Sequence, residues 1–342
     1  MRNLRTILFG TMAGALALAN PANAGWPEKP IQFIIPFGAG GGADIEGRLI
    51  AKAMSTVLGQ PVVPVNKPGG GGAITYTYVK NSKPDGYTIG MTNFPQSIVG
   101  PIMGKVKYTI QDFDWVGNVN RGPSTFAVLK TSKYKTLKDL MDDVKKNPGK
   151  ISIGSASLSS VHSIATSKFM TKTGLKLNKV PFGGGGPTRN ALLGGHIPVI
   201  SISVGAIAKF KDKVRILAQA APERVSTASW VPTFKEQGVD IVNFVYRPVA
   251  TPKGVPQAIL KKLRAAFKKA IADPGFIKVA KKQRIPISYI SGSEMKDVAQ
   301  KSRTDFCAQG RCSPNWSDGH PQGRCKEVAS CFGKDPTAAG KG

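Results

Sequence analysis

The sequence predicts an α/β protein of two domains. A unit of short buried strand, glycine-rich loop and helix recurs, with glycine loops at residues 38–42, 69–72 and 183–186. Runs of β-branched residues bounded by glycines are typical of buried strands, and helix-like stretches follow the loops. The chain of 342 residues is long enough for two domains with separate cores, and its 39 glycines and 25 prolines suit many loops between short α/β units.

The N-terminal residues predict export from the cytoplasm. Arg2 and Arg5 precede an apolar run over residues 7–18, and an Ala-Asn-Ala cleavage site follows. This pattern is typical of a secretory signal peptide, here residues 1–24 with cleavage after Ala24. The run is too short to cross a bilayer, which takes about 20 apolar residues, and no later stretch approaches that length. No cysteine lies near the cleavage site, so we predict no lipid anchor.

A formal net charge of +28 makes the chain strongly basic. The lysines and arginines are scattered along the sequence and lack the interleaved aromatic residues of a single-strand binding surface. We therefore interpret them as a solvated basic surface and predict no nucleic-acid partner. Such a positive field would steer anionic solutes towards the protein or favour contact with an acidic membrane surface.

The first strand, loop and helix form a candidate anion site. Residues 31–37 are a β-branched apolar run, the glycine loop follows at once, and apolar residues at 45–58 recur at helical spacing. Glycine lets the loop turn tightly and bring its N–H groups close to a ligand. Asp44 is predicted to cap the helix N-terminus, where unpaired N–H groups and the helix dipole favour an anion.

Three interpretations of this loop compete. Its glycines could serve only a tight turn between strand and helix. Gly38, Gly40 and Ala43 also fit a dinucleotide fingerprint, but no acidic residue follows the next strand at 61–65, and Pro36 interrupts the strand before the loop. The third interpretation is a small carboxylate held by backbone amides, which requires supporting loops elsewhere in the chain.

The remaining elements follow from the same patterns. A second unit has its strand at 62–65 and its helix at 73–80, and a strand at 88–92 follows a Pro-Asp-Gly-Tyr turn. Strands at 113–119 and 126–129 flank an Arg-Gly-Pro segment, and the second carries the chain into another lobe. Beyond them we predict helices at 137–144, 188–193 and 256–272, and strands at 151–154, 179–182, 199–204, 214–218 and 242–250.

A serine-rich loop is the second candidate for carboxylate binding. Residues 155–160 have the sequence Ser-Ala-Ser-Leu-Ser-Ser and precede a helical pattern that starts at Val161. Serine hydroxyls and N–H groups at a helix start suit a carboxylate, although the loop taken alone favours ordinary N-capping by Ser159 or Ser160. His162, at the same helix start, could donate to a ligand or be a capping or surface histidine.

Several short motifs occur in a fixed order, and together they resemble one known family. They are Trp26-Pro27-x-Lys29-Pro30-Ile31, the Pro36-Phe37-Gly38-x-Gly40-Gly41-Gly42-x-Asp44 loop, Gly59-Gln60-Pro61-Val62-Val63, Asn66-x-Pro68-Gly69, Pro84-Asp85-Gly86-Tyr87-Thr88, Asn147-Pro148-Gly149-Lys150, Gly194-Gly195 and Pro252-x-Gly254-x-Pro256. From about Trp26 to Phe306 the chain resembles the periplasmic solute receptors of the tripartite tricarboxylate transporters, the Bug group.

The resemblance implies a fold and a division of the chain. The fold is the type II periplasmic-binding-protein fold, a two-lobed Venus flytrap in which each lobe is a β-sheet flanked by helices and the ligand lies in the cleft. The chain would cross between the lobes twice. Lobe 1 would then comprise residues 25–125 and 226–306, and lobe 2 residues 126–225.

The resemblance also implies which residues hold a ligand carboxylate, namely the first glycine loop and the serine-rich loop. The predicted ligand-binding residues are Gly38, Ala39, Gly40, Gly41, Gly42, Ala43, Asp44, Ser155, Ser157, Ser159, Ser160, His162 and Arg247. Related receptors carry an arginine at the position of Arg247 in a Trp-Arg-Gly context, whereas here Tyr246 and Pro248 flank it. If it faces the cleft, this arginine could grip a second carboxylate bidentately.

Two departures from the family pattern bear on the ligand. Ala43 stands where relatives usually place Ser or Thr before the aspartate, so a hydroxyl donor is missing. The strand near residues 201–203 lacks the Phe-Asp pair that is common in the group. The identity of the carboxylate is therefore not predicted.

The resemblance implies a periplasmic receptor with no catalytic residues, no cofactor and no metal. It would bind a di- or tricarboxylate or a related organic acid and, as a monomer, deliver it to the integral-membrane permease subunits of a tripartite tricarboxylate-type transporter. One alternative is an exported hydrolase or nucleotide-dependent enzyme that uses the glycine loops, and another is a ligand-sensing receptor for a two-component system. The three histidines are scattered and no G-x-S-x-G motif occurs, which disfavours catalysis.

Residues 307–342 depart from the family pattern. All four cysteines of the chain lie there, at Cys307, Cys312, Cys325 and Cys331. In an exported segment they suggest two disulfides, with three connectivities that the sequence does not rank. Their spacing with His320 matches none of the zinc-finger patterns. We interpret this tail as disordered or as the product of a frameshift.

Overall fold

The computed structural model describes residues 25–102 and 106–308. The predicted signal peptide and the tail beyond residue 308 lie outside this part of the chain. The strands are β1 (Ile31–Ile35), β2 (Val62–Asn66), β3 (Thr88–Met91), β4 (Phe113–Leu129), β5 (Ser152–Ser155), β6 (Asn178–Pro181), β7 (Val199–Ser203), β8 (Val214–Gln219), β9 (Phe244–Pro252) and β10 (Ile287–Ser291). The helices are α1 (Gly42–Leu58), α2 (Ala73–Lys80), α3 (Gln96–Ile102), α4 (Leu137–Lys146), α5 (Val161–Thr173), α6 (Gly185–Leu193), α7 (Val204–Ile207), α8 (Gln257–Ala272), α9 (Pro274–Lys282) and α10 (Gly292–Ala308).

Strand β4 belongs to both lobes. Its first part, up to Pro123, pairs antiparallel with β9 and β10, and β9 continues the sheet to the strands β3, β1 and β2. From Ser124 onwards β4 pairs instead with β7 and β8, and β7 continues to β5 and β6. The two strands predicted at 113–119 and 126–129 are therefore a single strand of 17 residues. The Arg-Gly-Pro segment between them stays extended because β9 pairs with it.

Each lobe has apolar cores on both faces of its sheet. In β1, Ile31, Phe33 and Ile35 pack with α1 and α8, whereas Ile34 packs on the opposite face with Tyr76 of α2. This alternation follows from the period of two residues in a strand. The second lobe shows the same alternation: the neighbouring residues Phe126 and Ala127 lie in two different cores, one on each face of the sheet.

The amphipathic helix predicted at 256–272 is observed as α8. Its apolar residues Ile259, Leu263, Phe267 and Ile271 are buried, and Pro256 is the residue that precedes the helix. Ile259, Leu263 and Phe267 pack into the core that α8 shares with β1 and α1. Within residues 25–102 and 106–308, no helix is long and apolar enough to cross a membrane.

The segment after β8 packs on the second lobe. Phe234 and Ile241 lie in the same core as Phe126, and Val231 lies in the core on the opposite face of that sheet. The chain returns to the first lobe only at β9, where Phe244 pairs with Pro123. The division at 125/126 and 225/226 stays a prediction, and these contacts favour a second crossing close to Asn243.

Candidate functional site

Two glycine loops from opposite lobes meet in backbone contact. A Cβ atom added at Gly41 would lie 3.4 Å from the backbone N of Gly186. A Cβ atom added at Gly186 would lie 3.2 Å from the backbone O of Ala39 and 3.3 Å from the backbone N of Gly41. A Cβ atom at either position would be crowded against the backbone of the opposite loop, so glycine suits this approach. The lobes are therefore closed against each other at the N-termini of α1 and α6.

Asp44 holds the first loop in shape from within the helix. The prediction that Asp44 is the N-cap was wrong: α1 begins at Gly42 with Gly41 as its N-cap, and Asp44 is the third residue of the helix. Its carboxylate accepts hydrogen bonds from the N–H of Gly40 at 2.9 Å, from Arg48 Nε at 2.8 Å and from Asn66 Nδ2 at 2.9 Å. The Asp44 carboxylate and the Gly40 N–H are thus paired within the lobe, while the first-turn N–H groups of α1 have no partner in the helix.

An arginine of the second lobe closes over the same loop. Arg189, on α6, donates from Nη1 to the carbonyl O of Gly40 at 3.2 Å, and its guanidinium lies 5.0 Å from the ring centre of Phe210. The bond joins residues on opposite lobes. It therefore adds a side-chain bond to the contact between these two loops.

The second glycine loop faces the serine-rich loop. Gly69, Gly70, Gly71 and Gly72 all have positive φ, a region that residues with a side chain rarely adopt. A Cβ atom at Gly71 would lie 2.9 Å from Ser159 Oγ and 3.2 Å from Ser157 Oγ. Gln96 Nε2 lies equally close to this Cβ position, at 2.9 Å, and donates to the Gly71 carbonyl. A second contact between the lobes therefore lies beside the first.

The four predicted serines divide into two pairs. Ser155 and Ser160 both donate to the carbonyl O of Ser157, at 3.1 and 2.8 Å, and Ser160 accepts from the N–H of Ser163 as the N-cap of α5. The N-capping interpretation thus holds for Ser160. Ser157 and Ser159 instead lie with their hydroxyl oxygens 3.4 Å apart, next to Gly71 of the other lobe. Of the four, these two are the serines whose hydroxyls lie at the boundary between the lobes.

Arg247 lies at the N-terminus of α1 in a buried ion pair. A Cβ atom at Gly42 would lie 2.8 Å from Arg247 Nη2, so a side chain there would have to displace this guanidinium. Arg247 Nη1 pairs with Glu46 of α1, and the two side chains are 5% and 4% exposed. Arg247 Nε is buried, and among the described residues it has no hydrogen-bond partner. The guanidinium is therefore only partly satisfied by protein groups.

His162 lies where the chain crosses between the lobes. Its Nδ1 lies 2.8 Å from Ser124 Oγ, and that hydroxyl accepts from Asn243 Nδ2 at 2.9 Å. The tautomer of the ring decides whether Nδ1 or Ser124 Oγ is the donor, because the Ser124 hydroxyl can accept a second hydrogen bond or donate its own proton to Nδ1. Burial, and to a lesser degree the charge of Arg247, lower the pKa of His162 to about 3. The ring is therefore a neutral hydrogen-bond donor at neutral pH.

Comparison with known proteins decides the family. The model of the tripartite tricarboxylate transporter family receptors matches residues 47–305. A curated protein of Cupriavidus necator, described as the UPF0065 protein in the gbd 5′ region, is 33% identical over 277 residues, which cover 79% of this chain and 84% of that protein. The chain belongs to the tripartite tricarboxylate transporter receptor family. The predicted family is confirmed.

Solved structures extend the similarity to the fold of this receptor. A chain described as a periplasmic transporter matches with a TM-score of 0.77 and 32% identity, over 82% of this receptor and 96% of that chain. The periplasmic binding protein BugD matches with a TM-score of 0.76 and 25% identity, over 90% and 99%. MatC of Rhodopseudomonas palustris, solved with bound malate, shares the fold with a TM-score of 0.77 and 23% identity, over 82% and 98%. The predicted two-lobed periplasmic-binding-protein fold is confirmed, and the family is periplasmic.

The structure of the receptor brings together most of the predicted site residues. The first loop, Ser157, Ser159, His162 and Arg247 lie around the boundary between the lobes. Gly71, Gly186 and Glu46 were not among the predicted site residues, although the second and third glycine loops repeat the pattern of the first. Among residues 25–102 and 106–308, no group of three or more His, Cys, Asp or Glu side chains is placed to hold a metal ion.

The buried neutral His162 predicts how the stability of the receptor depends on pH. Below pH 6.5 the unfolded chain takes up a proton at this residue, whereas the folded protein stays unprotonated there down to about pH 3. The unfolded state then binds more protons, so the free energy of unfolding falls as the pH falls, by up to about 1.4 kcal/mol per pH unit in this window. Urea unfolding at pH 7, 6 and 5 measures this slope.

The variant His162→Asn isolates the contribution of His162 to this pH dependence, because asparagine can still form a hydrogen bond with Ser124 but does not titrate. We expect its unfolding free energy to fall less steeply between pH 7 and 5 than that of the wild type. The same exchange at the exposed His196 is the control and should keep the wild-type slope. Equal slopes for the wild type and His162→Asn would contradict this prediction, because they would show that His162 takes up its proton between pH 7 and 5 in the folded protein as it does in the unfolded chain.

Proposed function

We propose that this protein captures a small organic carboxylate between its lobes and delivers it to the permease of a tripartite tricarboxylate-type transporter. The observation that carries the proposal is the N-terminus of α1, where unpaired first-turn N–H groups lie beside the partly satisfied guanidinium of Arg247. N–H groups at a helix start and a buried arginine both favour an anion. The family to which the chain belongs supports the same class of ligand.

The ligand would bridge groups of both lobes. From the first lobe come the N–H groups that start α1 and the Arg247 side chain. From the second come the hydroxyls of Ser157 and Ser159, which can donate, and the ring of His162, whose N–H lies on Nε2 when Ser124 donates to Nδ1. A carboxylate has four lone-pair positions and no proton, so a set of donors alone matches it. Each charge-assisted hydrogen bond contributes about 1.5–3 kcal/mol.

Closure couples capture to delivery in this proposal. In an open form the α1 and α5 ends are accessible, and a bound carboxylate gives the two lobes a common partner. The contact between Gly41 and Gly186 then excludes water from the ligand. The closed shape is the one that the membrane permease would recognise. We propose that the protein works in the periplasm as a monomer after cleavage at Ala24, and that it catalyses no reaction.

A thermal-shift screen of the protein purified from the periplasm tests this function. The probes are malate, citrate, succinate, butyrate, benzoate, glutamate and NAD at millimolar concentration. A micromolar ligand at that concentration stabilises the folded state by about 4 kcal/mol, which is a large shift in melting temperature. We expect at least one carboxylate to give it. A shift with NAD alone would contradict the proposal and favour the nucleotide interpretation of the first loop.

A further inference from the structure

A buried carboxylate neutralises the arginine of the candidate site. Glu46 lies one turn into α1, and both of its oxygens accept hydrogen bonds from Asn120 Nδ2, at 2.9 and 2.8 Å. Its Oε1 also accepts from Arg247 Nη1. Acidic side chains are rarely this buried without a specific partner. The acid is thus held in a fixed position against the guanidinium.

The pair lies at the ligand end of α1 and between the lobes. Arg247 Nη2 approaches Gly42 of the first helical turn in lobe 1. The charge of Arg247 also acts on His162 of the second lobe and on Tyr76 of the first. A ligand held by the start of α1 is therefore close to both Arg247 and Glu46.

The charges of the side chains near the N-terminus of α1 favour the binding of one anionic group. Arg247 is matched by Glu46, Asp44 is matched by Arg48, and His162 is neutral. The remaining attraction comes from the N-terminus of α1, equivalent to about half a positive charge. A second ligand carboxylate next to Arg247 would also lie next to the Glu46 carboxylate, and like charges at such distances repel. Arg189 adds a cation at the neighbouring Gly40, where its Nη1 donates to the carbonyl oxygen at 3.2 Å.

We propose that Glu46 restricts this receptor to monocarboxylates, ligands with a single carboxylate and an uncharged remainder. Glu46 occupies the Nη1 group of Arg247 that a second ligand carboxylate would otherwise use, and it repels that carboxylate. The inference rests on the proposed function, since it specifies the ligand class of the same site. It differs from the expectation that Arg247 grips a second carboxylate.

Matched pairs of acids test the proposal by isothermal titration calorimetry on the full exported protein. The pairs are butyrate with succinate, hexanoate with adipate, and benzoate with terephthalate, which differ by one carboxylate. For the wild type we expect the monocarboxylate of the best-bound pair to bind at least about tenfold more tightly than its dicarboxylate. This measurement needs no variant, so the proposal is testable even if a variant fails to fold.

The variant Glu46→Gln tests the role of the residue. Glutamine keeps an acceptor for Asn120 and Arg247 but removes the negative charge, so Arg247 becomes free to pair with a second carboxylate. We expect the preference to shift towards the dicarboxylate by at least about tenfold. Glu223→Gln removes one charge at an exposed position and should leave the ratio unchanged.

The outcomes separate the two proposals. A wild type that binds succinate, adipate or terephthalate more tightly than its partner overturns the monocarboxylate inference and leaves the receptor function intact. An unchanged ratio in Glu46→Gln overturns the role of Glu46 as the specificity-determining residue. Absence of binding for all six acids, and for the acids of the thermal-shift screen, overturns the proposed function itself.

Discussion

Replacing Gly186 by leucine should abolish ligand capture while both lobes remain folded. A Cβ atom at this position would lie 3.2 to 3.4 Å from backbone atoms of Ala39, Gly41 and Gly40, all in the opposite lobe. The rest of the leucine side chain would then hold the lobes apart. Gly186 lies in the first turn of α6 and has no positive φ, so leucine is compatible with the helix itself.

The size of the loss in ligand affinity follows from the number of hydrogen-bond donors that the carboxylate loses when the two lobes are held apart. With the lobes apart, a carboxylate bound at α1 loses its hydrogen bonds to Ser157, Ser159 or His162. Two charge-assisted bonds at about 1.5–3 kcal/mol each correspond to at least about a hundredfold increase in Kd. Calorimetry with the best acid of the thermal-shift screen measures this, and thermal unfolding without ligand checks that the variant is folded.

A variant one residue earlier provides the control. A Cβ atom at Gly185 would meet only Ile202 Cδ1 of its own lobe, at 3.9 Å, so Gly185→Ala should bind as the wild type does. Gly41→Leu places the obstruction on the first lobe and should reproduce the loss. Wild-type affinity in both leucine variants would show that the closed contact between α1 and α6 is not required for binding.

Local patterns in the sequence predicted most of the secondary structure. The helix predicted at 73–80 has these bounds in α2, and the apolar face of α8 is buried as its spacing indicates. The glycine loops were found for the same reason, because glycine between a strand and a helix is a local signal. The Arg-Gly-Pro segment of β4 has the composition of a turn and is extended only because β9, more than 120 positions later, pairs with it.

The site required contacts that no local pattern encodes. Each glycine loop was visible in the sequence, but which loops would meet depends on how the two lobes face each other. Asp44 was taken for an N-cap because an aspartate commonly precedes the first helical turn, whereas here it caps the loop from inside the helix. Nothing in the local sequence indicates that Glu46 is buried, since an acidic residue in an amphipathic helix usually lies on the solvated face. Its burial depends on Arg247, 201 residues away in sequence.

Phe234→Ala should destabilise the second lobe by about 3–5 kcal/mol, as expected when a fully buried aromatic side chain is removed from a core. The Phe234 ring is completely buried and packs edge to face on Phe126, with their centroids 5.0 Å apart, and against Phe169 at 5.9 Å. Urea unfolding measures the loss. Trp230→Ala is the control in the same segment: its side chain is 45% exposed and stacks only on Arg284, so we expect a loss of about 0.5–1 kcal/mol.

The same variant decides where the chain returns to the first lobe. If the segment before β9 belongs to the second lobe, hydrogen exchange in Phe234→Ala should accelerate in the part of β4 after Ser124 and stay unchanged in β1. Faster exchange in β1 instead would support the division predicted from the sequence, with residues 226–306 in lobe 1. The contacts of Phe234 favour the first result, because Phe126, its nearest aromatic neighbour, pairs through β4 with β7 and β8 and with no strand of the first lobe. The chain then crosses at Ser124 and at Asn243, where Ser124 Oγ bonds the His162 ring and Asn243 donates to that hydroxyl.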